Sequence, residues 1–329
     1  MLALRTGALA LMVAVVACLP PPAPVFSQGS SSYDASVALI ARRQARDDSI
    51  ADPGARSIFL TSGRRSPRVV LLFHGLTDSP RQFETLARLL HDAGDNVYVP
   101  RLPRHGLRGG DARALAALTA EELRDFADSS TAIADALGDS VVVVGLSLGG
   151  TMAAWVAQYR HVARSVLIAP ALEAGRIPSI LERPIVGLAD RLPNVTRRSA
   201  PDSARPDREP GFTTHAMAEV LRLGIGVLGQ ARRAAPSTPE MVVLVNANDR
   251  TVKESAAEEL ARQWARRGAH ASLYEIPDSL RLPHNIVDPL HGAGGGPAVL
   301  QLLQRLIHGQ PPPPLVRSLP IPPAHAGLR

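Results

Sequence analysis

Four short runs in this chain are apolar at almost every position: RVVLLF at 68–73, SVVVVG at 140–145, RSVLIA at 164–169 and EMVVLV at 240–245. Each has the length of a strand and is too short for an ordinary helix. A strand with one wet face alternates apolar and polar side chains, so a run without alternation must bury both faces. Helical periodicity fills the gaps. Phe83, Leu86, Leu89 and Leu90 share a face within 80–93, and Thr119 followed by Glu122 forms a capping-box pattern at the head of 119–137. Segments 148–159, 253–267 and 297–307 are further helices, 33–48 is a leading one, and 96–100 and 271–276 are further strands. Strands alternating with helices predict an α/β fold, a mostly parallel central sheet with helices on both faces.

The alternation breaks once. Segment 173–236 is rich in Pro, Arg and Ser, with apolar helical pieces near 180–192 and 217–228. The strand pattern resumes beyond it, so the segment reads as an insertion within one domain spanning 56–309. An N-terminal extension over 28–55 precedes that domain. A Pro-rich tail over 310–329 follows it and is expected to be poorly ordered. Aromatic residues make up only 4% of the chain, so Ala, Val and Leu must fill the core.

The residues with chemical potential cluster at the ends of the predicted strands. The run 140–145 leads straight into Gly145-Leu146-Ser147-Leu148-Gly149, and a helix leaves it. Alone, a Gly-x-Ser-x-Gly match is weak. Between a strand and a helix it describes a tight turn that lifts a serine hydroxyl above the sheet, with small neighbours where the flanking segments crowd. A serine needs a base to activate it, and the base needs an acid to orient it. Asp249 follows the strand at 240–245 and stands as the acid, ahead of Asp278 and Asp288, which follow no strand directly. His284 lies in the loop after the strand at 271–276 and stands as the base. His291 is the second choice, and His270 lies on the wrong side of its strand. A tetrahedral intermediate also needs donors for its oxyanion. Phe73-His74-Gly75-Leu76 follows the first core strand, Gly75 lets the backbone turn, and the N–H groups of Leu76 and Leu148 are the expected donors. His74 then holds the loop rather than acting as a second base.

The stretches His74-Gly75-Leu76-Thr77-Asp78-Ser79-Pro80, Pro100-Arg101-Leu102-Pro103-Arg104-His105-Gly106, Gly145 to Gly150, and Asn248-Asp249-Arg250-Thr251-Val252 resemble the α/β-hydrolases of the carboxylesterase and monoacylglycerol-lipase type, over residues 56–308. The resemblance implies a catalytic triad of Ser147, Asp249 and His284, an oxyanion hole at Leu76 and Leu148, and a helical cap over the acyl pocket formed by 173–236. It implies hydrolysis of a small-molecule ester or lipid through an acyl-enzyme, with thioesters or amides as alternatives. A non-catalytic binding protein on the same fold is the competing reading. Arg104 departs from the family, which usually has Gly before His-Gly, and this leaves the local loop conformation open.

The remaining features bear on partners and location. Formal net charge is +6, but arginines scattered among acids supply nearly all of the positive charge and Lys253 is the only lysine, so no nucleic-acid partner is expected. No cluster of residues has metal-ligand spacing and no loop has the form of a phosphate cradle, so neither metal nor cofactor is expected. The apolar run 8–17, after Arg5, is too short to span a bilayer and fits the core of a secretory signal. Val15-Val16-Ala17-Cys18 resembles a lipoprotein box, which would anchor a lipidated Cys18 in the membrane, with the Pro-rich 19–24 as a tether. Cleavage after Val25-Phe26-Ser27 is the alternative. Either way, export from a bacterial cytoplasm is expected.

Overall fold

The computed structural model describes residues 22–29, 32–109, 113–175, 184, 186–198, 207–290 and 294–321. Cys18 and the apolar run before it lie outside the described residues, as does His291.

The leading helix α1 (Tyr33–Ile50) precedes an edge strand β1 (Ile58–Leu60). Then come β2 (Ser66–Phe73), α2 (Glu84–Asp92), β3 (Asn96–Val99), α3 (Ala120–Ala134), β4 (Gly138–Leu146), α4 (Leu148–Tyr159) and β5 (Arg164–Ile168). A two-stranded ribbon of β6 (Thr196–Arg198) and β7 (Gly211–Thr213) follows. The chain continues through α5 (Thr214–Ala231), β8 (Glu240–Asn246), α6 (Glu254–Arg266), β9 (His270–Ile276), α7 (Pro297–Ile307) and β10 (Arg317–Ser318).

The main sheet runs β1-β3-β2-β4-β5-β8-β9-β10. Its six inner strands pair in parallel, and only the edge strands β1 and β10 are antiparallel. Side chains of successive residues leave opposite faces, which accounts for the unbroken apolar runs. Val141 and Val143 of β4 join Val69, Leu71, Val243, Trp155 and Trp264 on one face. Val142 and Val144 join Val70, Leu72, Val166, Leu86 and Leu303 on the other. The expected capping box is formed: Thr119 Oγ1 accepts from Glu122 N–H at 3.1 Å while Glu122 accepts from Thr119 N–H at 3.2 Å.

Two expectations need correction. The second half of the segment read as a cap is not a lid. Ala216, Val220, Leu223 and Val227 of α5 are buried in the same cluster as α4 and α6, so this helix covers the sheet. Gly224 lets it lie close, because a Cβ there would stand 2.9 Å from Leu172 Cα. The Pro-rich tail is also not without structure up to residue 321. Arg317 and Ser318 pair with Glu275 and Tyr274, closing the sheet edge as β10, and Arg317 forms an ion pair with Glu275.

The chain moves from β2 to β3 on one side and returns to β4 on the other, so β2 and β4 flank a topological switch point. In open α/β sheets such a point, at the carboxyl ends of the strands, is where ligands bind. The segments after Phe73 and after Leu146 emerge there.

Candidate active site

Ser147 occupies the turn between β4 and α4 with φ 58° and ψ −116°. A non-glycine residue in this region carries about 1–3 kcal/mol of strain and persists only where its surroundings hold it. Ser147 N–H donates to Ile168 C=O at 3.0 Å, and Ser147 C=O accepts from the N–H groups of Thr151 at 3.0 Å and Ala171 at 3.1 Å. The flanking glycines are required sterically. A Cβ on Gly145 would stand 2.0 Å from Gly149 O, and one on Gly149 would stand 1.9 Å from Phe73 O. The turn is thus clamped between β5 on one side and the end of β2 on the other.

Asp249 and His284 meet although 35 residues separate them: His284 Nδ1 donates to Asp249 Oδ2 at 2.5 Å. The other Asp249 oxygen accepts from Thr251 N–H at 2.7 Å. Burial alone would push the Asp249 carboxyl up. The hydrogen bond and charge of His284, with the backbone N–H groups of Thr251 and Val252, outweigh burial and hold it below the ordinary carboxylate range. Asn246 and Asn248 steady the histidine loop, since both side-chain amides donate to Leu282 C=O, at 3.0 and 2.9 Å. His284 Nε2 is buried and has no hydrogen-bond partner among the described residues. A hydrogen bond from Ser147 Oγ is therefore not formed, which is common before substrate binds. The imidazole has one nitrogen committed to a carboxylate and the other buried and unpartnered among the described residues.

The rival residues lie elsewhere. Asp288 is buried and accepts from Leu290 N–H at 2.9 Å. Asp278 is exposed in a short helical turn, and His270 opens β9 at its amino end.

Leu76 lies in the loop that follows β2. Leu76 and Leu148 are buried, and neither N–H donates to a protein acceptor among the described residues. His74 is buried with its Nε2 accepting from Leu102 N–H at 3.1 Å. Gly75 does not play the part expected of it. It has no positive φ, and a Cβ there would meet its nearest atom at an ordinary 3.6 Å. The loop is held instead by His105, whose Nε2 lies 2.8 Å from Leu76 O and whose Nδ1 lies 2.8 Å from Pro103 O. Burial lowers the His105 pKa to about 4, against the raising effect of those two carbonyls, so the ring is neutral at pH 7 and donates to only one of them in a given tautomer.

Arg104 keeps the loop conformation that glycine would adopt, at φ 66°. Its guanidinium donates to both carboxylate oxygens of Glu122, each at 2.9 Å, and this fork offsets the left-handed backbone. Glu122 thereby serves the cap of α3 and the Arg104 turn together.

The structure also shows residues that sequence reasoning did not single out. Arg208 Nε stands 3.4 Å from Asp78 Oδ2. Glu209 Oε1 accepts from Gly106 N–H at 2.6 Å, and Asn285 Nδ2 donates to Asp78 Oδ2 at 3.2 Å. No periodicity or spacing marks these contacts, because they join loops far apart in the chain. Among the described residues no group of three or more His, Cys, Asp or Glu side chains could hold a metal ion.

A family model described as the alpha/beta hydrolase family matches residues 69–279. No curated protein matches the chain in sequence. Several solved structures superpose well. One, reported for the metagenome-derived lipolytic enzymes LipS and LipT, aligns with a TM-score of 0.60 at 19% identity, covering 79% of this chain and 100% of that one. A monoacylglycerol lipase from Paleococcus ferrophilus aligns at 0.56 and 18% identity, covering 77% and 98%. A soluble variant of monoglyceride lipase from Saccharomyces cerevisiae, in complex with a substrate analogue, aligns at 0.57 and 14%, covering 77% and 91%. At these identities the likeness is one of fold.

Proposed function

The chain belongs to the α/β-hydrolase family, and from that premise we propose that it is a serine hydrolase cleaving carboxylic esters, of the carboxylesterase or monoglyceride-lipase kind. The observation that carries the reading is the Asp249–His284 hydrogen bond, with the second ring nitrogen left open. In this mechanism Asp249 fixes the tautomer with the proton on Nδ1. Nε2 takes the proton of Ser147 Oγ as that oxygen attacks the ester carbonyl. The N–H groups of Leu76 and Leu148 receive the oxyanion. His284 then passes the proton to the departing alkoxide, and water, activated by the same ring, releases the acid. Ester or lipid substrates are favoured over other acyl donors by the lipases and esterases among the structural neighbours.

The test is hydrolysis of p-nitrophenyl esters with two to sixteen acyl carbons by the protein lacking residues 1–21, beside Ser147→Ala. Turnover that disappears in the variant supports the reading. Absence of turnover at every length, with no labelling by an active-site phosphonate, would favour the non-catalytic binding protein.

We also propose export with lipid attachment at Cys18, since one observation favours it over cleavage before Gln28. Residues 22–29 lie against the domain: Arg124 Nη1 donates to Ala23 C=O at 2.6 Å and Arg160 Nη2 to Ser27 C=O at 2.7 Å. Cleavage before Gln28 would discard those contacts. Incorporation of labelled palmitate that is lost in Cys18→Ser tests this, and a mature protein beginning at Gln28 refutes it.

A further inference from the structure

Asp78 joins the loop that carries Leu76 to the loop that carries His284 and to the segment before β7. Its carboxylate is buried, with a relative exposure of 2%. Oδ1 accepts from Ser79 N–H at 3.1 Å, while Oδ2 accepts from Asn285 Nδ2 at 3.2 Å and faces Arg208 Nε at 3.4 Å. Asp78 N–H donates to Gly75 C=O at 3.2 Å, which closes the turn containing Leu76. Asn285 is the residue after His284 and is itself buried. Its Oδ1 accepts from the N–H groups of Val287 and Asp288, each at 3.3 Å, so its side chain shapes the loop that bears the histidine. Arg208 lies just before β7. Its neighbours continue the attachment. Asp207 accepts from Ser79 Oγ and, at 3.4 Å, from Arg81 Nη1, and Glu209 N–H donates to Thr77 C=O at 3.2 Å.

A buried carboxylate loses much hydration energy, and its ion pair seldom returns more than an apolar contact of the same size would. What the polar arrangement supplies is direction: each bond fixes one loop relative to another. We propose that Asp78 is a positioning residue that holds the loop presenting the Leu76 N–H and the loop bearing His284 in one register, with Arg208 supplying its counter-charge. The proposal rests on the serine-hydrolase reading above. Through it the oxyanion donor and the base keep their mutual placement although 207 residues separate Asp78 from Asn285.

The experiment reverses the polarity of the contact. Asn285→Asp sets a second carboxylate against Asp78. The double variant Asp78→Asn/Asn285→Asp restores the bond, with the amide at 78 donating to the carboxylate at 285. Asn285→Ala removes the bond without repulsion and serves if Asn285→Asp does not fold. kcat and KM for p-nitrophenyl butyrate are measured well below each melting transition. Asn285→Asp is expected to lose at least about thirtyfold in kcat and Asn285→Ala about tenfold, each with KM within about threefold, as misplacement of a reacting group by a fraction of an ångström to an ångström requires. The double variant is expected to recover at least about tenfold over Asn285→Asp. Turnover that depends on Ser147 but is indifferent to both Asn285 variants, or a double variant no better than Asn285→Asp, overturns the positioning role alone. If the unaltered protein shows no turnover, or turnover survives Ser147→Ala, the serine-hydrolase reading falls and this proposal falls with it.

Discussion

Replacing Gly149 with alanine tests whether the Ser147 turn and the Leu76 loop form one packed unit. The added Cβ would lie 1.9 Å from Phe73 O, 2.5 Å from Phe73 C and 2.8 Å from His74 O. All three are backbone atoms, so no side chain can swing away. Real Cβ atoms essentially never approach within 3.0 Å, so α4 and the end of β2 must separate by about 1.1 Å. Overpacking of this kind costs about 1–3 kcal/mol, which in a domain of this size lowers the melting temperature by about 2–12 °C. The same opening moves Leu148 N–H away from the Leu76 loop, and a displacement near 1 Å is expected to reduce kcat about a hundredfold. Gly229 supplies the control. It lies in α5 with nothing within 4 Å of an added Cβ, so Gly229→Ala should stabilise by about 0.5–1 kcal/mol and leave kcat unchanged. Ester hydrolysis and thermal melting of both variants suffice. A Gly149→Ala protein with wild-type melting and kcat within threefold would show that the two loops yield independently, and the argument from close packing would be wrong.

Other perturbations follow from the same structure. Asp249→Asn should reduce kcat about ten-thousandfold at pH 7 by favouring the wrong histidine tautomer, and a loss below tenfold would remove Asp249 from the proposed triad. The Asp249 carboxyl is held below its ordinary value, so its contribution to stability is present above the unfolded carboxylate pKa and is lost as pH falls through the folded value. The melting temperature of Asp249→Asn should accordingly fall less between pH 6 and pH 3 than that of the parent. Arg104→Gly relieves the left-handed backbone while giving up the half-exposed pair with Glu122, whereas Arg104→Ala gives up the pair and keeps the strain. Urea unfolding should therefore find the glycine variant more stable than the alanine variant by about 1 kcal/mol, and the reverse order would deny that strain is stored there. Burial, then the neighbouring Glu275 and Glu258, raise the Glu254 pKa to about 7. The folded state thus binds the extra proton, and stability is lost as pH rises from the ordinary carboxylate range through 7. Glu254→Gln should raise stability by about 1 kcal/mol at pH 8, after allowance for solvent screening, and by nothing at pH 5. Equal effects at the two pH values would refute the assignment.

Much of the sheet was legible from the chain alone because a strand buried on both faces must be apolar throughout. The expected strands at 68–73, 140–145, 164–169 and 240–245 all lie within or within one residue of observed strands, and the helix over 148–159 has the expected limits. The tight turn at Ser147 was equally legible, since the crowding that demands Gly145 and Gly149 acts between residues close in sequence or at the ends of neighbouring parallel strands. Edge strands were not. β1 has three residues and β10 has two, too few to carry a periodic pattern, and each exists only because a partner offers unpaired backbone groups. Helix α5 was read as part of a cap because an amphipathic stretch does not state which surface it will cover. That choice was made by the groove beside α4 and by the absence of a side chain at Gly224. The departure at Arg104 was visible, but its resolution required Glu122 to come within reach from another element.

The sequence by itself therefore determined the α/β class, the order of the core elements and the candidate Ser147, because these follow from local periodicity and from sterics within a single turn. Only the tertiary structure closed the hydrogen bond between Asp249 and His284, the base expected from its place in the chain, set Asp78 between Asn285 and Arg208, and placed α5 on the sheet. Those outcomes depend on the positions of groups tens to hundreds of residues apart. A hydrogen bond has no extent along the chain, and only folding supplies its length and direction.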